Sequence, residues 1–140
     1  MIKINEIYLS VQGESTHTGL PCIFIRLTGC NLRCSWCDTA YAFHEGKNMS
    51  IDEILQKVEN FGIHLVEITG GEPLMQDNVY TLIRKLIEKG YKVMLETGGS
   101  ISLERVPKDV IKIMDLKCPG SGEQEKNNLD NLKLLAPHDE

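Results

Sequence analysis

Three of the five cysteines lie close together, and their spacing suits a metal centre. Cys30, Cys34 and Cys37 follow one another as Cys-x3-Cys-x2-Cys. A disulfide framework more often has an even number of cysteines spread along the chain. A structural zinc site needs four ligands, for which His44 and the distant Cys118 are the candidates. An iron–sulfur cubane takes one thiolate per iron, so three cysteines would leave one iron open to a small molecule. The spacing favours such a cluster, with a zinc site that uses His44 as the alternative.

The composition limits the class of protein. The chain has 140 residues, of which 41% are hydrophobic and 25% charged, as in an ordinary globular domain. Its formal net charge of -5 argues against nucleic-acid binding through bulk charge. No apolar run approaches the ~20 residues of a membrane span, and no signal sequence opens the chain. We therefore expect a single cytoplasmic domain over residues 1–140, with no nucleic-acid or membrane partner.

The elements that must position the cysteines alternate along the chain. Short β-branched and apolar runs predict strands over residues 3–10, 22–28, 64–69, 91–96 and 111–115. We expect Glu67 and Lys112 on the solvent side of their strands, and Cys22 as a small core residue. Strands that alternate with helices predict an α/β fold with a parallel sheet.

Helices are indicated between these strands. The segment Ser50-Ile-Asp-Glu53 has the form of a capping box, and the periodicity behind it predicts a helix to about Asn60. A second amphipathic helix is predicted over 79–87, with Gly90 as its stop. Two shorter helices are expected over 102–106 and 128–135.

Four loops that follow predicted strands carry the remaining motifs. They are the cysteine loop, Gly70-Gly71, Gly98-Gly99 and Lys117-Cys118. Because the carboxyl ends of parallel strands lie at the same edge of a sheet, and ligands bind beyond that edge, these loops should gather there. The sequence therefore predicts a single site.

The cysteine loop, together with Thr69-Gly-Gly-Glu-Pro73, resembles the radical S-adenosylmethionine (SAM) superfamily. The resemblance implies a (βα)-barrel of the radical SAM type, here a partial one. It also implies a 4Fe–4S cluster whose open iron is chelated by the amino and carboxylate groups of SAM. Reduction then cleaves SAM to a 5′-deoxyadenosyl radical, which abstracts a hydrogen atom.

Further segments resemble one family of that superfamily, 7-carboxy-7-deazaguanine synthase of the queuosine pathway. They are Val11-Gln-Gly-Glu14, Phe24-Ile-Arg-Leu-Thr-Gly-Cys30, Cys37-Asp-Thr39, Leu95-Glu-Thr-Gly-Gly99 and Asp115-Leu-Lys-Cys-Pro119. The family rearranges 6-carboxy-5,6,7,8-tetrahydropterin into 7-carboxy-7-deazaguanine with loss of ammonia, and it needs magnesium. Its members are usually longer, so we expect the chain to lack the C-terminal part of the barrel.

The resemblance also implies roles for individual residues. Cys30, Cys34 and Cys37 would ligate the cluster and Thr39 the Mg²⁺, with no catalytic residue beyond the cluster and the SAM radical. SAM would contact Trp36, Cys37, Asp38, Gly71, Asp115, Leu116 and Lys117. The pterin would contact Val11, Gln12, Gly13, Glu14, Arg26 and Thr69. Arg26 would pair with the substrate carboxylate, although an arginine in an apolar strand is more often a structural, salt-bridged one.

The implied partners are a second copy of the chain in a homodimer and a reductase such as flavodoxin or ferredoxin. Two other functions stay open. An enzyme that makes a glycyl radical on a partner protein shares the Cys-x3-Cys-x2-Cys loop, and a non-catalytic zinc- or iron-binding module is the other. Gln12, Glu14, Arg26 and Thr39 favour a small carboxylated substrate over a polypeptide.

Overall fold

Six strands form one mixed sheet in the computed structural model, which describes residues 1–140. The strands are β1 (Ile2–Val11), β2 (Pro21–Leu27), β3 (Lys47–Met49), β4 (Leu65–Gly70), β5 (Lys92–Thr97) and β6 (Ile111–Met114). Their order is β3-β1-β2-β4-β5-β6. Strands β2, β4, β5 and β6 are parallel, whereas β1 pairs antiparallel with both β2 and β3. The expected parallel sheet is confirmed except at β1, because residues 12–20 are too short a connection for a parallel crossover.

Two α-helices cover one face of the sheet. Helix α1 (Ile51–Glu59) begins at the predicted capping box, in which the Ser50 hydroxyl accepts from the Glu53 amide and the Glu53 carboxylate accepts from the Ser50 amide. Helix α2 (Val79–Glu88) follows the predicted bounds. Neither helix has the length and apolar character needed to cross a membrane.

Neither of the two shorter predicted helices is an α-helix in the structure. Residues 102–106 form only turns, so that prediction is wrong, since the residue before Pro107 is biased away from helical conformation. The helix expected over 128–135 is a 3-10 helix, Leu129–Leu134. The short strand β3 was not predicted, because its exposed residues carry no alternation and it forms by pairing with the edge of β1.

The two faces of the sheet have different roles. Side chains such as Ile23, Ile25 and Ile68 pack in the hydrophobic core under the helices. The alternate positions on β2, β4 and β5, among them Arg26, Thr69 and Glu96, line cavities on the opposite face. That second face carries the polar residues, which makes it the candidate site.

The solvent-facing positions expected for Glu67 and Lys112 are wrong. Glu67 is only 4% exposed and Lys112 only 3%. Strands of a parallel sheet are covered on both faces, so a charged residue on them need not reach water. Glu67 has Gln12 as its partner and Lys112 has Asp139. The prediction for Cys22 is confirmed, since it is fully buried.

Candidate active site

The four loops that follow the parallel strands meet around one cavity of about 360 Å³. Its lining includes all three clustered cysteines and residues from the ends of β4, β5 and β6: Gly70, Gly71, Thr97, Gly98, Asp115 and Lys117. The predicted convergence at one edge of the sheet is confirmed. The topology explains it, since β2, β4, β5 and β6 run in one direction and end on the same side.

The cysteine loop, residues 29–39, is held at its first residue by two backbone hydrogen bonds. The amide of Gly29 donates to the carbonyl of Ala42 over 2.8 Å, and the amide of Glu72 donates to the carbonyl of Gly29 over 2.8 Å. Farther along, the amide of Arg33 donates to Glu123 Oε1 over 2.6 Å. These bonds attach a loop without regular secondary structure to two other parts of the chain.

The thiols fit an iron–sulfur cluster better than a single metal ion. All five cysteines are free, and Cys30, Cys34 and Cys37 are half-buried around the same cavity. No three His, Cys, Asp or Glu side chains converge on one point that would hold a single ion. A zinc ion requires such convergence, whereas a cubane takes one thiolate at each of its irons. His44 and Cys118, the candidate fourth ligands of a zinc site, lie outside the cavity lining.

Glu72 connects two of the loops around this cavity. Its side chain is 1% exposed and accepts hydrogen bonds from the Leu74 amide (3.1 Å), the Thr97 hydroxyl (2.9 Å) and the Gly98 amide (2.9 Å). Burial raises the pKa of Glu72, while these donors act in the opposite direction. The carboxylate thus fixes the β5 loop relative to the β4 loop, a role that the sequence analysis did not assign to it.

Gly71 lies where the β4 loop touches the cysteine loop. A Cβ at this position would lie 2.6 Å from Cys30 Cβ and would also meet the carbonyl of Gly29. Real Cβ atoms do not approach backbone this closely, so only glycine fits without displacing the first cysteine.

We expect Gly71→Ala to lose half or more of the iron bound after anaerobic reconstitution, because the clash moves Cys30. Gly13→Ala is the matched control, since a Cβ there meets nothing within 4 Å. Iron and acid-labile sulfide analysis measures the effect. Equal iron content in the two variants would contradict the prediction.

Six of the seven residues expected to contact SAM line this cavity. They are Trp36, Cys37, Asp38, Gly71, Asp115 and Lys117. Leu116 is outside the lining, with 43% of its side chain exposed. The ammonium of Lys117 forms an ion pair with Asp115, which places both charges at the end of β6.

A second cavity of about 210 Å³ adjoins the first and shares six lining residues with it: Glu14, Asp38, Thr39, Thr69, Gly70 and Glu96. Of the six residues expected to contact the pterin, five line it: Gln12, Gly13, Glu14, Arg26 and Thr69. Val11 does not, and its side chain is 60% exposed. The lining carries four carboxylates, Glu14, Asp38, Glu67 and Glu96, against a single cation, Arg26. Such a cavity suits a ligand rich in N–H donors that also carries one anionic group.

Arg26 is both salt-bridged and exposed to this cavity. Its Nε donates to Glu6 Oε1 over 2.8 Å and its Nη2 donates to the Tyr8 hydroxyl over 3.1 Å. The Tyr8 ring stacks on Phe24 with centroids 5.2 Å apart. The guanidinium is therefore held in place from one side, and its Nη1 has no hydrogen-bond partner in the structure. The structural role and the substrate role are compatible.

Thr39 lies between the two cavities and lines both. Its hydroxyl is 3.8 Å from the sulfur of Cys37, the last cysteine of the loop. A hydroxyl oxygen is a suitable ligand for Mg²⁺, which keeps several waters and takes few protein ligands.

Two carboxylates in the second cavity were missed by the sequence analysis. Glu67 accepts a hydrogen bond from Gln12 Nε2, and Glu96 Oε2 accepts one from the Thr69 hydroxyl over 2.6 Å. Burial, then the neighbouring charge of Glu96, raises the pKa of Glu67 to about 7. The sequence could have indicated this for Glu67, because alternate residues of a β-strand share a face and Glu67 is two positions before Thr69.

The chain is similar to known proteins over nearly its whole length. Residues 24–117 match the model of the Radical SAM superfamily. The 7-carboxy-7-deazaguanine synthase of Koribacter versatilis is 53% identical over 99% of this chain and 62% of its own length. The synthase of that name from Chlorobaculum tepidum is 45% identical, over 95% of this chain and 60% of its own length.

A solved structure shows the same similarity in three dimensions. The crystal structure of QueE from Escherichia coli matches with a TM-score of 0.75 and 26% identity, over 95% of this chain and 74% of that one. The chain spans about three fifths of the length of the two synthases named above, 62% and 60%.

Proposed function

We propose that this chain, which belongs to the radical SAM superfamily, is within it a 7-carboxy-7-deazaguanine synthase and acts in the conversion of 6-carboxy-5,6,7,8-tetrahydropterin into 7-carboxy-7-deazaguanine. Ammonia is the second product. The observation that carries the proposal is the adjoining pair of cavities, one lined by three free thiols and the other by carboxylates and Arg26. We place the enzyme in the cytoplasm.

Cys30, Cys34 and Cys37 would hold a 4Fe–4S cluster, and the remaining lining of the larger cavity would bind SAM. When bound, the cluster and SAM together supply a 5′-deoxyadenosyl radical. The residues of the chain orient the cofactor: Gly71 allows the backbone to approach closely, while Lys117 and Asp115 offer one charge of each sign. The hydrogen bonds of Glu72 hold the loops after β4 and β5 together and so fix the positions of the groups on them.

The second cavity would bind the pterin. Carboxylate oxygens of Glu14 and Glu96 accept hydrogen bonds from N–H groups of a pterin edge, as ionised carboxylates only accept. Arg26 would meet the substrate carboxylate, for which a planar two-point donor is well suited. Thr39 would contribute a ligand to Mg²⁺ at the junction of the cavities, with the substrate carboxylate as another ligand.

The proposed assembly is a homodimer that receives electrons from a reductase such as flavodoxin or ferredoxin. The names of the relatives favour this reading over the two alternatives, an activating enzyme for a partner protein and a non-catalytic metal module. Light scattering on the reconstituted protein tests the dimer. Reduction of the cluster by flavodoxin, followed by its visible spectrum, tests the electron donor.

The experiment that tests the function is anaerobic reconstitution with iron and sulfide, followed by reaction with dithionite, SAM, Mg²⁺ and 6-carboxytetrahydropterin. Mass spectrometry should detect 7-carboxy-7-deazaguanine and 5′-deoxyadenosine. Formation of 5′-deoxyadenosine without 7-carboxy-7-deazaguanine would retain the radical chemistry and reject the substrate. Omission of Mg²⁺ should lower the rate, and an unchanged rate would reject the role of Thr39.

We expect Arg26→Ala to raise KM for the pterin by at least about tenfold, because a charge-assisted hydrogen bond to the substrate carboxylate is lost. Cluster content and SAM binding should not change. Arg84→Ala, on the exposed face of α2, is the matched control and should leave KM as it is. An unaltered KM in Arg26→Ala would reject the carboxylate contact.

A further inference from the structure

Glu67 faces the second cavity from the middle of β4, where its side chain is 4% exposed. A buried carboxylate is costly unless its oxygens have partners. One partner is Gln12, whose Nε2 donates to Glu67 Oε2 from 55 positions away in the sequence. Because Gln12 begins the segment 12–14 that lines the cavity, this bond joins the sheet to the cavity wall.

The bond also decides which way the Gln12 amide points. Glu67 Oε2 accepts a hydrogen bond when the group is ionised and also when its proton lies on the oxygen nearer Glu96, so it selects the amide nitrogen of Gln12 and turns the amide oxygen away. Gln12 Oε1 then accepts from the backbone amide of Glu14 over 3.2 Å. Gln12 is itself 3% exposed, so both ends of its amide are satisfied within the protein. If the amide were flipped, its NH2 group would face the Glu14 N–H and its oxygen would face the Glu67 carboxyl oxygen, so neither hydrogen bond could form.

Glu96 completes the arrangement on the neighbouring strand. Glu96 lies near enough to Glu67 for the two carboxyl groups to share a hydrogen bond when one of them carries a proton. The Thr69 hydroxyl donates a hydrogen bond to Glu96 Oε2 over 2.6 Å. Glu14 is the third acidic group near Glu67. Gln12 and Glu67 form one hydrogen-bonded pair and Thr69 and Glu96 another, and a proton on either Glu67 or Glu96 would join the two pairs.

We propose that Glu67 is a positioning residue for the wall formed by residues 12–14: it fixes the orientation of the Gln12 amide and, through Gln12, the backbone of Glu14. Glu67 also lines the cavity, but the proposed effect on the ligand is the one transmitted through Gln12. That the ligand is a pterin rests on the proposed function. The orientation of Gln12 and Glu14 does not rest on it.

Two variants separate orientation from simple cavity filling. Glu67→Leu introduces an apolar side chain that still fills the space, and it removes the acceptor for Gln12. Glu67→Gln keeps an acceptor for Gln12 and an N–H donor for Glu96, so it reproduces the protonated acid. Glu88→Gln, on the exposed side of α2, is the control for a change of charge alone.

The first measurement uses the reconstituted protein and the fluorescence of 6-carboxypterin, a stable oxidised relative of the substrate. We expect Glu67→Leu to weaken 6-carboxypterin binding by at least about tenfold, and Glu67→Gln to restore it to within about threefold of wild type. The iron content and the change that SAM produces in the cluster spectrum should match wild type. Binding by Glu67→Leu equal to wild type would overturn the proposal. A parallel loss of SAM binding would also overturn it, because it would show general disruption.

The second measurement does not depend on the ligand. Amide hydrogen exchange at Glu14, followed by NMR on the protein with its oxidised cluster, should accelerate at least about fivefold in Glu67→Leu and not in Glu67→Gln. If wild type fails to bind 6-carboxypterin, the proposed function fails while the exchange rates still decide the role of Glu67. Equal exchange at Glu14 in all variants would overturn it.

Discussion

Replacement of Cys34 by alanine should abolish the cleavage of SAM. The loss should be at least about 10³-fold, since enzymes accelerate reactions by 10⁶ or more and Cys34 is one of the three thiolates proposed to ligate the cluster. The side chain is half-buried in a loop and packs in no hydrophobic core, so the fold itself should lose under about 1 kcal/mol. The defect is therefore expected to be chemical.

The measurement pairs iron and sulfide analysis with the yield of 5′-deoxyadenosine per protein under dithionite. Cys118→Ala is the matched control, because this thiol is free like that of Cys34 but is exposed and lies outside the cavity. It should keep the brown colour and the full yield. A wild-type yield of 5′-deoxyadenosine from Cys34→Ala would reject the assignment to radical chemistry. Equal losses in Cys34→Ala and Cys118→Ala would show that the yield depends on thiol oxidation and not on ligation of the cluster by Cys34.

The location of the site was predictable because it depends on local patterns. Each of the strands β2, β4, β5 and β6 shows a short apolar run that ends in a glycine or charged motif, and strand direction alone brings the ends together. The capping box at Ser50 was predictable for the same reason, since its partners are three residues apart. Local spacing is enough where both partners lie on one element.

The charged residues on the strands were not predictable in this way. Lys112 and Glu67 look alike in sequence, as single charges in apolar strands, and both were expected to face water. Their burial depends on Asp139 and Gln12, which are 27 and 55 positions away. The same holds for Arg26, whose ion pair with Glu6 crosses from β1 to β2. No local pattern reports such partners, so the acceptor-rich character of the second cavity emerged only from the structure.

Asp139 attaches the end of the chain to β6. Its carboxylate accepts from the Lys112 amide over 2.8 Å and from the Ala136 amide over 2.7 Å, and it forms an ion pair with Lys112 Nζ at 3.0 Å. Neither charge reaches solvent, with side chains 0% and 3% exposed. Beside this pair, Glu140 forms backbone hydrogen bonds with Lys112 and Met114. The pair therefore holds the last residues on the sheet.

We expect Asp139→Ala to lower the free energy of unfolding by about 3–5 kcal/mol, because it leaves Lys112 buried without a partner. Asp130→Ala is the matched control. Its ion pair with Lys133 is 2.7 Å long, against 3.0 Å for Asp139 with Lys112, but it is about 80% exposed on both sides, so its loss should cost under about 1 kcal/mol. Urea unfolding measures both. A double variant, Lys112→Met with Asp139→Leu, should recover part of the loss, and similar losses in the two single variants would contradict a buried pair.

The dependence of this effect on pH has a definite sign. Burial alone would raise the pKa of Asp139, but hydrogen bonds from the amides of Lys112 and Ala136, then from the Lys112 ammonium, lower it below its ordinary value. A carboxylate with a lowered pKa stabilises the fold fully above its unfolded-state pKa of about 4, and that contribution is lost as pH falls through the folded-state pKa. The gap in unfolding free energy between wild type and Asp139→Asn should therefore be constant near neutrality and shrink below about pH 4. Other acids, Glu67 among them, titrate in both proteins and cancel from the difference. A gap that widened on acidification would show that Asp139 is buried in its protonated form, with Lys112 neutralised elsewhere.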